Sequence, residues 1–229
     1  LGAKLAAGAE VVLVSSGAIA TGMPTLGITR RPRDLATQQA AASVGQGQLL
    51  AHYTGSFARH GRTVGQVLLT AEDVTRRSHY RNAQRTLYKL LELGVVPIVN
   101  ENDTVATDEI RFGDNDRLSA LVAQLLGADL LVLLTDAPGL LTADPRIDAQ
   151  ASLIEEVLEV TADLERVAGG AGSARGSGGM SSKVAAAKMA SWSGVRAVIA
   201  AAHRDGVLAD AVAGTAGVGT VVRPRAQRI

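Results

Sequence analysis

No cysteine occurs anywhere in the 229 residues. That absence excludes a disulfide framework, a thiolate nucleophile and a zinc ribbon, and it fits a reducing cytoplasm. Long apolar runs are missing too: no stretch approaches the roughly 20 uninterrupted apolar residues of a membrane span. There is little net charge. Lysine and arginine number 23 against 22 acids, which leaves no general electrostatic reason to bind nucleic acid or a membrane surface. Only the tail, with Arg223, Arg225 and Arg228, is locally basic. The four histidines, His52, His60, His79 and His203, have no metal-ligand spacing, and none stands in a nucleophile motif beside a serine. A serine hydrolase is therefore disfavoured.

An apolar content of 47% is ample for a packed core, and the length suits one large α/β domain. One pattern recurs four times: a helical run, a glycine, then a β-branched apolar strand. It appears at Lys4 to Gly8 before Val11 to Val14, and at Thr86 to Gly94 before Val95 to Val99. It returns at Leu118 to Gly127 before Leu130 to Leu134, and at Val184 to Gly194 before Val195 to Ile199. Glycine just past a helix supplies a left-handed C-terminal turn, and continuous apolar strands mean sheets buried on both faces. A three-layer α/β/α arrangement with a mostly parallel, helix-flanked central sheet is predicted. Between these units, Asp34 to His60 reads as a long helix and Thr63 to Leu69 as a strand. Thr70 with Asp73 reads as a helix start ahead of a run toward Leu93.

Four constellations at strand or helix ends have the residue types of a site. In the first, Val95 to Val99 opens into Asn100-Glu101-Asn102-Asp103 and, ten residues on, Gly113-Asp114-Asn115-Asp116. Over 101 to 117 six acids face two arginines, a balance suited to a cation or an ammonium group. Such a cluster at a strand's C-terminal end is where open α/β sheets hold ligands. Asp103 and Asn115 suit an ammonium and an amide-type partner; Asp114 and Asp116 suit magnesium or a lysine. The competing reading is a helix cap followed by solvated loop. Thr104 to Phe112 is a candidate lid over this cluster.

The second is Gly178-Gly179-Met180-Ser181-Ser182-Lys183, at the end of a low-complexity stretch. It brings backbone amides, hydroxyls and an ammonium to a helix start, which suits the phosphates of a nucleotide. It is neither a Walker A loop nor a dinucleotide fingerprint. On its glycines alone it reads equally as a linker, and Lys183 favours the cradle. The third is Val14-Ser15-Ser16-Gly17-Ala18, able to hold a carboxylate or a phosphoryl group, or else a simple serine cap and turn. The fourth is Leu134-Thr135-Asp136, followed by Thr142-Ala143-Asp144-Pro145-Arg146; alone it is weak.

Taken in this order, these blocks resemble the amino-acid kinase family, and within it the branch that phosphorylates glutamate. Val44-Gly45-Gln46 and Val64-Gly-Gln-Val-Leu-Leu-Thr70 belong to the same likeness, which runs from about Val11 to Val222. The resemblance implies ATP-dependent phosphorylation of the L-glutamate side-chain carboxylate, the first step of proline biosynthesis, with magnesium. Carried onto matching positions, it implies that Ser16, Asp103 and Asn115 bind glutamate. Thr135, Asp136 and the stretch Ser177, Gly178, Gly179, Met180, Ser181, Ser182 and Lys183 would bind ATP. Lys183 would neutralise charge on the transferred phosphoryl, and Asp116 would orient the catalytic lysines. It also implies proline as a feedback inhibitor, a homo-oligomer and a glutamyl phosphate reductase partner for the labile product.

The likeness stops short at both ends. Family members open on a strand ending in Lys-x-Gly-Thr/Ser-Ser, whose lysine touches the transferring phosphoryl, and many carry a C-terminal PUA-type domain. No segment here matches either, and Leu1 to Gly8 reads as the end of a helix. The expectation is a single kinase domain over 1–229, truncated at its N-terminus and reduced in activity. Two rivals stay open: another member of the same kinase group, acting on carbamate, aspartate or a nucleoside monophosphate, and a non-catalytic sensing module that binds an amino acid or nucleotide.

Overall fold

The computed structural model describes residues 1–105, 115–169 and 179–225, with side chains for all of these but Ala6 and Ala71. The chain divides into two compact units, Leu1–Asn115 and Asp116–Ile229. The expected lid over Thr104 to Phe112 falls largely outside the described residues, as do Asp114, Ser177 and Gly178.

The first unit runs α1 (Gly2–Ala6), β1 (Leu13–Val14), α2 (Ala18–Gly22), a short 3-10 turn (Pro24–Leu26), α3 (Leu35–Ala58), β2 (Val64–Leu69), α4 (Ala71–Thr75), α5 (Arg77–Glu92) and β3 (Val96–Glu101). Its three strands form a parallel sheet in the order β1-β3-β2, with Val14 beside Val99 and Leu69 beside Glu101. All six residues of β3 are buried. That matches its central place: Val96 to Val99 are the apolar run of a parallel strand covered on both faces, and the polar Asn100 and Glu101 at its end are buried too.

Asp34 caps α3 by accepting from the Thr37 amide at 2.8 Å. The helix run expected from Thr70 to Leu93 is instead two helices, because Arg76 is extended between them (φ −78°, ψ 121°). The start signal itself is present: Asp73 accepts from the Thr70 amide and hydroxyl at 2.8 and 2.7 Å.

Helices α2 and α3 touch at glycines. A Cβ on Gly22 would stand 1.9 Å from the Ala41 carbonyl oxygen, and one on Gly45 would stand 1.8 Å from that of Ala18. The two backbones are thus in direct contact, which no other residue type permits.

The second unit runs α6 (Asn115–Leu126), β4 (Leu130–Thr135), β5 (Glu156–Val157), α7 (Ala162–Gly169), α8 (Met180–Trp192), β6 (Arg196–Ala201), α9 (Val207–Ala213) and β7 (Thr220–Val222), α6 opening on the last residue of the first unit. Its sheet has the order β4-β6-β7-β5, parallel except where β7 runs against β6. Val184, Ala186, Ala187 and Ala190 of α8 pack with Leu131 and Leu133 of β4 and Ile199 of β6 in one apolar core. The expected mostly parallel, helix-flanked sheet is therefore present, as two sheets of described strands. Gly8, Gly94, Gly127 and Gly194, the four glycines of the repeated pattern, all have φ between 58° and 85°, as a left-handed helix exit requires. Among the described residues no helix is long and apolar enough to cross a membrane.

Candidate active site

Helix α8 begins where the glycine-rich stretch ends, at an extended Gly179 that supplies no side-chain cap. The Ser182 and Lys183 amides turn back to the Gly179 carbonyl oxygen at 3.2 and 3.4 Å, while the Met180 and Ser181 amides have no side-chain cap among the described residues and suit an anion. Lys183 lies in that first turn, next to the buried Val184. A cation there works against the helix dipole, whose N-terminal end is itself positive, so local structure alone disfavours a lysine at this position. The compensation comes from α6. Lys183 Nζ donates to both carboxylate oxygens of Asp116, at 3.0 Å each, and the two side chains are only 12% and 15% exposed.

Ser182 adds a third bond, its hydroxyl lying 2.6 Å from Asp116 Oδ2 and 2.8 Å from the Gly179 carbonyl oxygen. Asp116 in turn sits in the first turn of α6, where a carboxylate is favoured by the dipole. Ser119 closes that turn by donating to the Asp116 carbonyl oxygen at 2.6 Å. The result is an ammonium fixed in place beside amides that no described side chain caps, an arrangement that suits a polyanion. Asp116 therefore lies inside the first turn of α6 rather than capping a helix that begins at Leu118, and its side chain bonds Lys183.

In the same unit, Thr135 ends β4 and Asp136 follows it, exposed. The Thr135 hydroxyl lies 3.1 Å from Asp136 Oδ1. Farther along, Asp144 accepts from the Arg146 guanidinium at 2.6 to 3.2 Å and from the Arg146 amide at 2.9 Å. Those bonds hold its carboxyl down to about 2. Among the described residues no three histidine, aspartate or glutamate side chains are grouped to hold a metal ion.

The first unit positions Ser16 and Asp103 at neighbouring strand ends. The Ser15 amide continues the β1–β3 ladder by donating to Val99 at 2.8 Å. Gly17, at φ 91°, then turns the chain into α2 and leaves Ser16 exposed. At the end of β3, Asn100 and Glu101 are buried, and Asp103 follows two residues later, half-buried. Asn115 opens α6; its Oδ1 is buried and accepts no hydrogen bond from any described residue.

Behind Ser16 and Asp103 lies a polar layer that motif reading did not identify. Asn100 Nδ2 donates to Gln46 Oε1 at 3.1 Å, and the hydroxyls of Ser15 and Tyr53 share a hydrogen bond at 2.9 Å. Ser15, Gln46, Tyr53, Gln66 and Asn100 contribute to the lining of a cavity of about 10 Å³, the room one water needs. Gln46, Gln66 and Asn100 each stand in a block of the family likeness, but nothing in the sequence joins them to one another or to Tyr53. Trp192 is 42% exposed, with Lys188 and Arg225 over its ring at 5.4 and 5.8 Å.

A model of the amino acid kinase family matches residues 2–201. Glutamate 5-kinase of Salinispora arenicola is 59% identical across 100% of this chain and 61% of its own length. The enzyme of that name from Nocardia farcinica is 58% identical, covering 99% of this chain and 60% of itself, and that of Mycobacterium tuberculosis H37Rv is 58% identical, covering 98% and 60%. The chain thus spans about three fifths of the length of the curated relatives it matches. Among solved structures, isopentenyl phosphate kinase of T. acidophilum in its product complex covers 96% of this chain and 87% of its own, with a TM-score of 0.63 at 18% identity. Aspartate kinase from Synechocystis covers 99% of this chain and 36% of its own, with a TM-score of 0.61 at 17% identity. At such identity these two show the shared fold.

Proposed function

The chain belongs to the amino acid kinase family, and from that premise we propose that it transfers the γ-phosphoryl of ATP to the side-chain carboxylate of L-glutamate, giving ADP and L-glutamyl 5-phosphate. The structural observation that carries the reading is Lys183, clamped by Asp116 at the uncapped start of α8. Identity near 58% to proteins named glutamate 5-kinase supports the choice of acceptor. Both units then belong to one kinase domain, a view supported by a family match unbroken from residue 2 to residue 201.

The chemistry asks little of the protein beyond placement and charge. A carboxylate nucleophile is ionised at neutral pH, so no general base is required. Phosphoryl transfer proceeds by in-line approach, with positive charge stabilising the equatorial oxygens. Lys183 supplies that charge and the α8 amides with Ser181 and Ser182 hold the phosphates. Asp116 keeps the ammonium from swinging away. Thr135 and Asp136, at the β4 end, contact the nucleotide. Ser16, Asp103 and Asn115 bind glutamate, its ammonium donating to Asp103 and to Asn115 Oδ1, which has no partner among the described residues.

Magnesium suits this donor set as an ion carried mainly by phosphate oxygens with one or two carboxylates. The exposed Asp136 is the residue proposed to reach it, and the ion when bound offsets phosphate charge. A cytoplasmic location, proline as a feedback inhibitor, a homo-oligomer and a reductase that consumes the water-labile acyl phosphate complete the reading, on the strength of the family likeness.

The test is ADP release by the full chain with glutamate, together with trapping of the acyl phosphate by hydroxylamine. Glutamate-dependent ADP release with matching hydroxamate is expected. Equal ADP release without glutamate, or with aspartate in its place, would overturn the assignment.

A further inference from the structure

Gln46 is 9% exposed, on a stretch of α3 whose neighbours Ala41, Ala42 and Gly45 are also buried. A leucine or methionine would fill such a position without desolvating an amide, so the glutamine is there at a cost unless its bonds matter. Its Oε1 accepts from Asn100 Nδ2 at 3.1 Å, and Asn100 Oδ1 accepts from the Glu101 amide at 2.9 Å. The Asn100 side chain is thus held between α3 and the main chain leading to Asp103. One residue earlier on α3, Gly45 meets the Ala18 carbonyl of α2 so closely that a Cβ has no room. Helix α2 begins two residues after Ser16. Consecutive residues of α3 therefore touch both segments assigned to glutamate, and Tyr53 on the same helix bonds Ser15. The water-sized cavity between them is lined by Ser15, Gln46, Tyr53 and Asn100.

We infer that Gln46 is a positioning residue for the amino-acid substrate: through Asn100 it fixes the strand end carrying Asp103 against the turn carrying Ser16, and so sets affinity for glutamate and not for ATP. This rests on the reading of Ser16 and Asp103 as glutamate ligands.

The test compares Gln46→Met, which keeps the length and removes the acceptor, with Gln46→Glu, which keeps an oxygen at that position. In the full chain Gln46→Met is expected to raise the glutamate KM about tenfold, with the ATP KM within about twofold of the parent, and Gln46→Glu to restore most of the loss. A purely structural glutamine would lower the folded fraction and leave both KM values unchanged, or move them together; either result overturns the inference. Peptide-resolved amide hydrogen exchange gives an answer independent of which substrate is used. Faster exchange in Gln46→Met over both 15–20 and 100–104, but not in Gln46→Glu, supports the role, and unchanged exchange in those segments refutes it. Should the parent chain fail to turn over glutamate, the substrate assignment falls while the exchange comparison still decides the positioning role. If Gln46→Met does not fold, Gln46→Asn, which withdraws the amide by one methylene, provides the same comparisons.

Discussion

Lys183 Nζ lies 3.0 Å from each carboxylate oxygen of Asp116, across 67 residues of sequence. The lysine sits at a helix N-terminus, where the dipole opposes it, and the aspartate at another, where the dipole favours it. Lys183→Ala is expected to lower kcat by about 10²- to 10³-fold, the loss typical of removing one preorganised charge from a transition state. Nucleotide binding, read by calorimetry, should survive through the α8 amides. Asp116→Asn keeps the shape and removes the charge. It should cost kcat with little change in either KM, since the lysine remains but is free to swing; unchanged kcat would remove Asp116 from the machinery.

Asn115 separates stability from binding. Its Oδ1 is buried without a partner among the described residues, so deleting the amide removes an unsatisfied group and should leave the unfolding free energy within about 1 kcal/mol of the parent. The glutamate KM should nonetheless rise at least about tenfold if that oxygen awaits a donor from the substrate. Urea unfolding together with initial-rate kinetics checks both halves.

The contact of α2 with α3 admits no side chain. Alanine at Gly22 or Gly45 puts a Cβ within 2 Å of a backbone carbonyl oxygen, which must be relieved by moving a helix. Each substitution is expected to cost about 3 kcal/mol, the upper end of overpacking effects, because the obstacle is backbone rather than a flexible side chain. Denaturant titration reads the loss directly.

Asp144 offers a pH test. Its carboxyl is held down to about 2, first by side-chain hydrogen bonds from Arg146 and next by the Arg146 amide. A depressed carboxylate contributes stability that is fully present above the ordinary value near 3.8 and is lost as pH falls through about 2. Arg146→Ala should return the Asp144 pKa most of the way toward 3.8, seen in the side-chain carboxyl resonance by NMR. The loss of stability at neutral pH should be small, because the Arg146 side chain is 81% exposed and the pair is screened by solvent from that side.

Trp192 is the one tryptophan, and its ring carries Lys188 on one contact and Arg225 on another. Arg225 also donates its amide to the Ser191 carbonyl oxygen at 2.9 Å. Arg225→Ala should destabilise by about 0.5–1 kcal/mol, the worth of an exposed cation–π contact. The emission of Trp192 should also shift, since the ring loses that covering cation.

The elements were largely legible because their signals are local. The long helix, expected over 34–60, is Leu35–Ala58, and the strand expected over 95–99 is Val96–Glu101. Arg76 was an exception, since nothing in the periodicity of 70–93 marks the extended residue between α4 and α5, and the short β5, α7, α9 and β7 carry no strong local signal. The polar layer of Gln46 and Asn100 was illegible for a different reason. A glutamine in a helical run and an asparagine at a strand end each have several ordinary roles, and their pairing at a separation of 54 residues leaves no spacing to detect.

Composition and short-range pattern settled where four helices end in glycine, which apolar stretches form strands and which strand ends carry polar groups. The reason is steric: a left-handed exit demands glycine, and a strand covered on both faces demands an apolar run. Tertiary structure alone decided which carboxylate reaches Lys183 and which helix braces Asn100. Those contacts depend on sheet order and on how closely two helices pack, quantities set by distant segments meeting and not by any window of sequence.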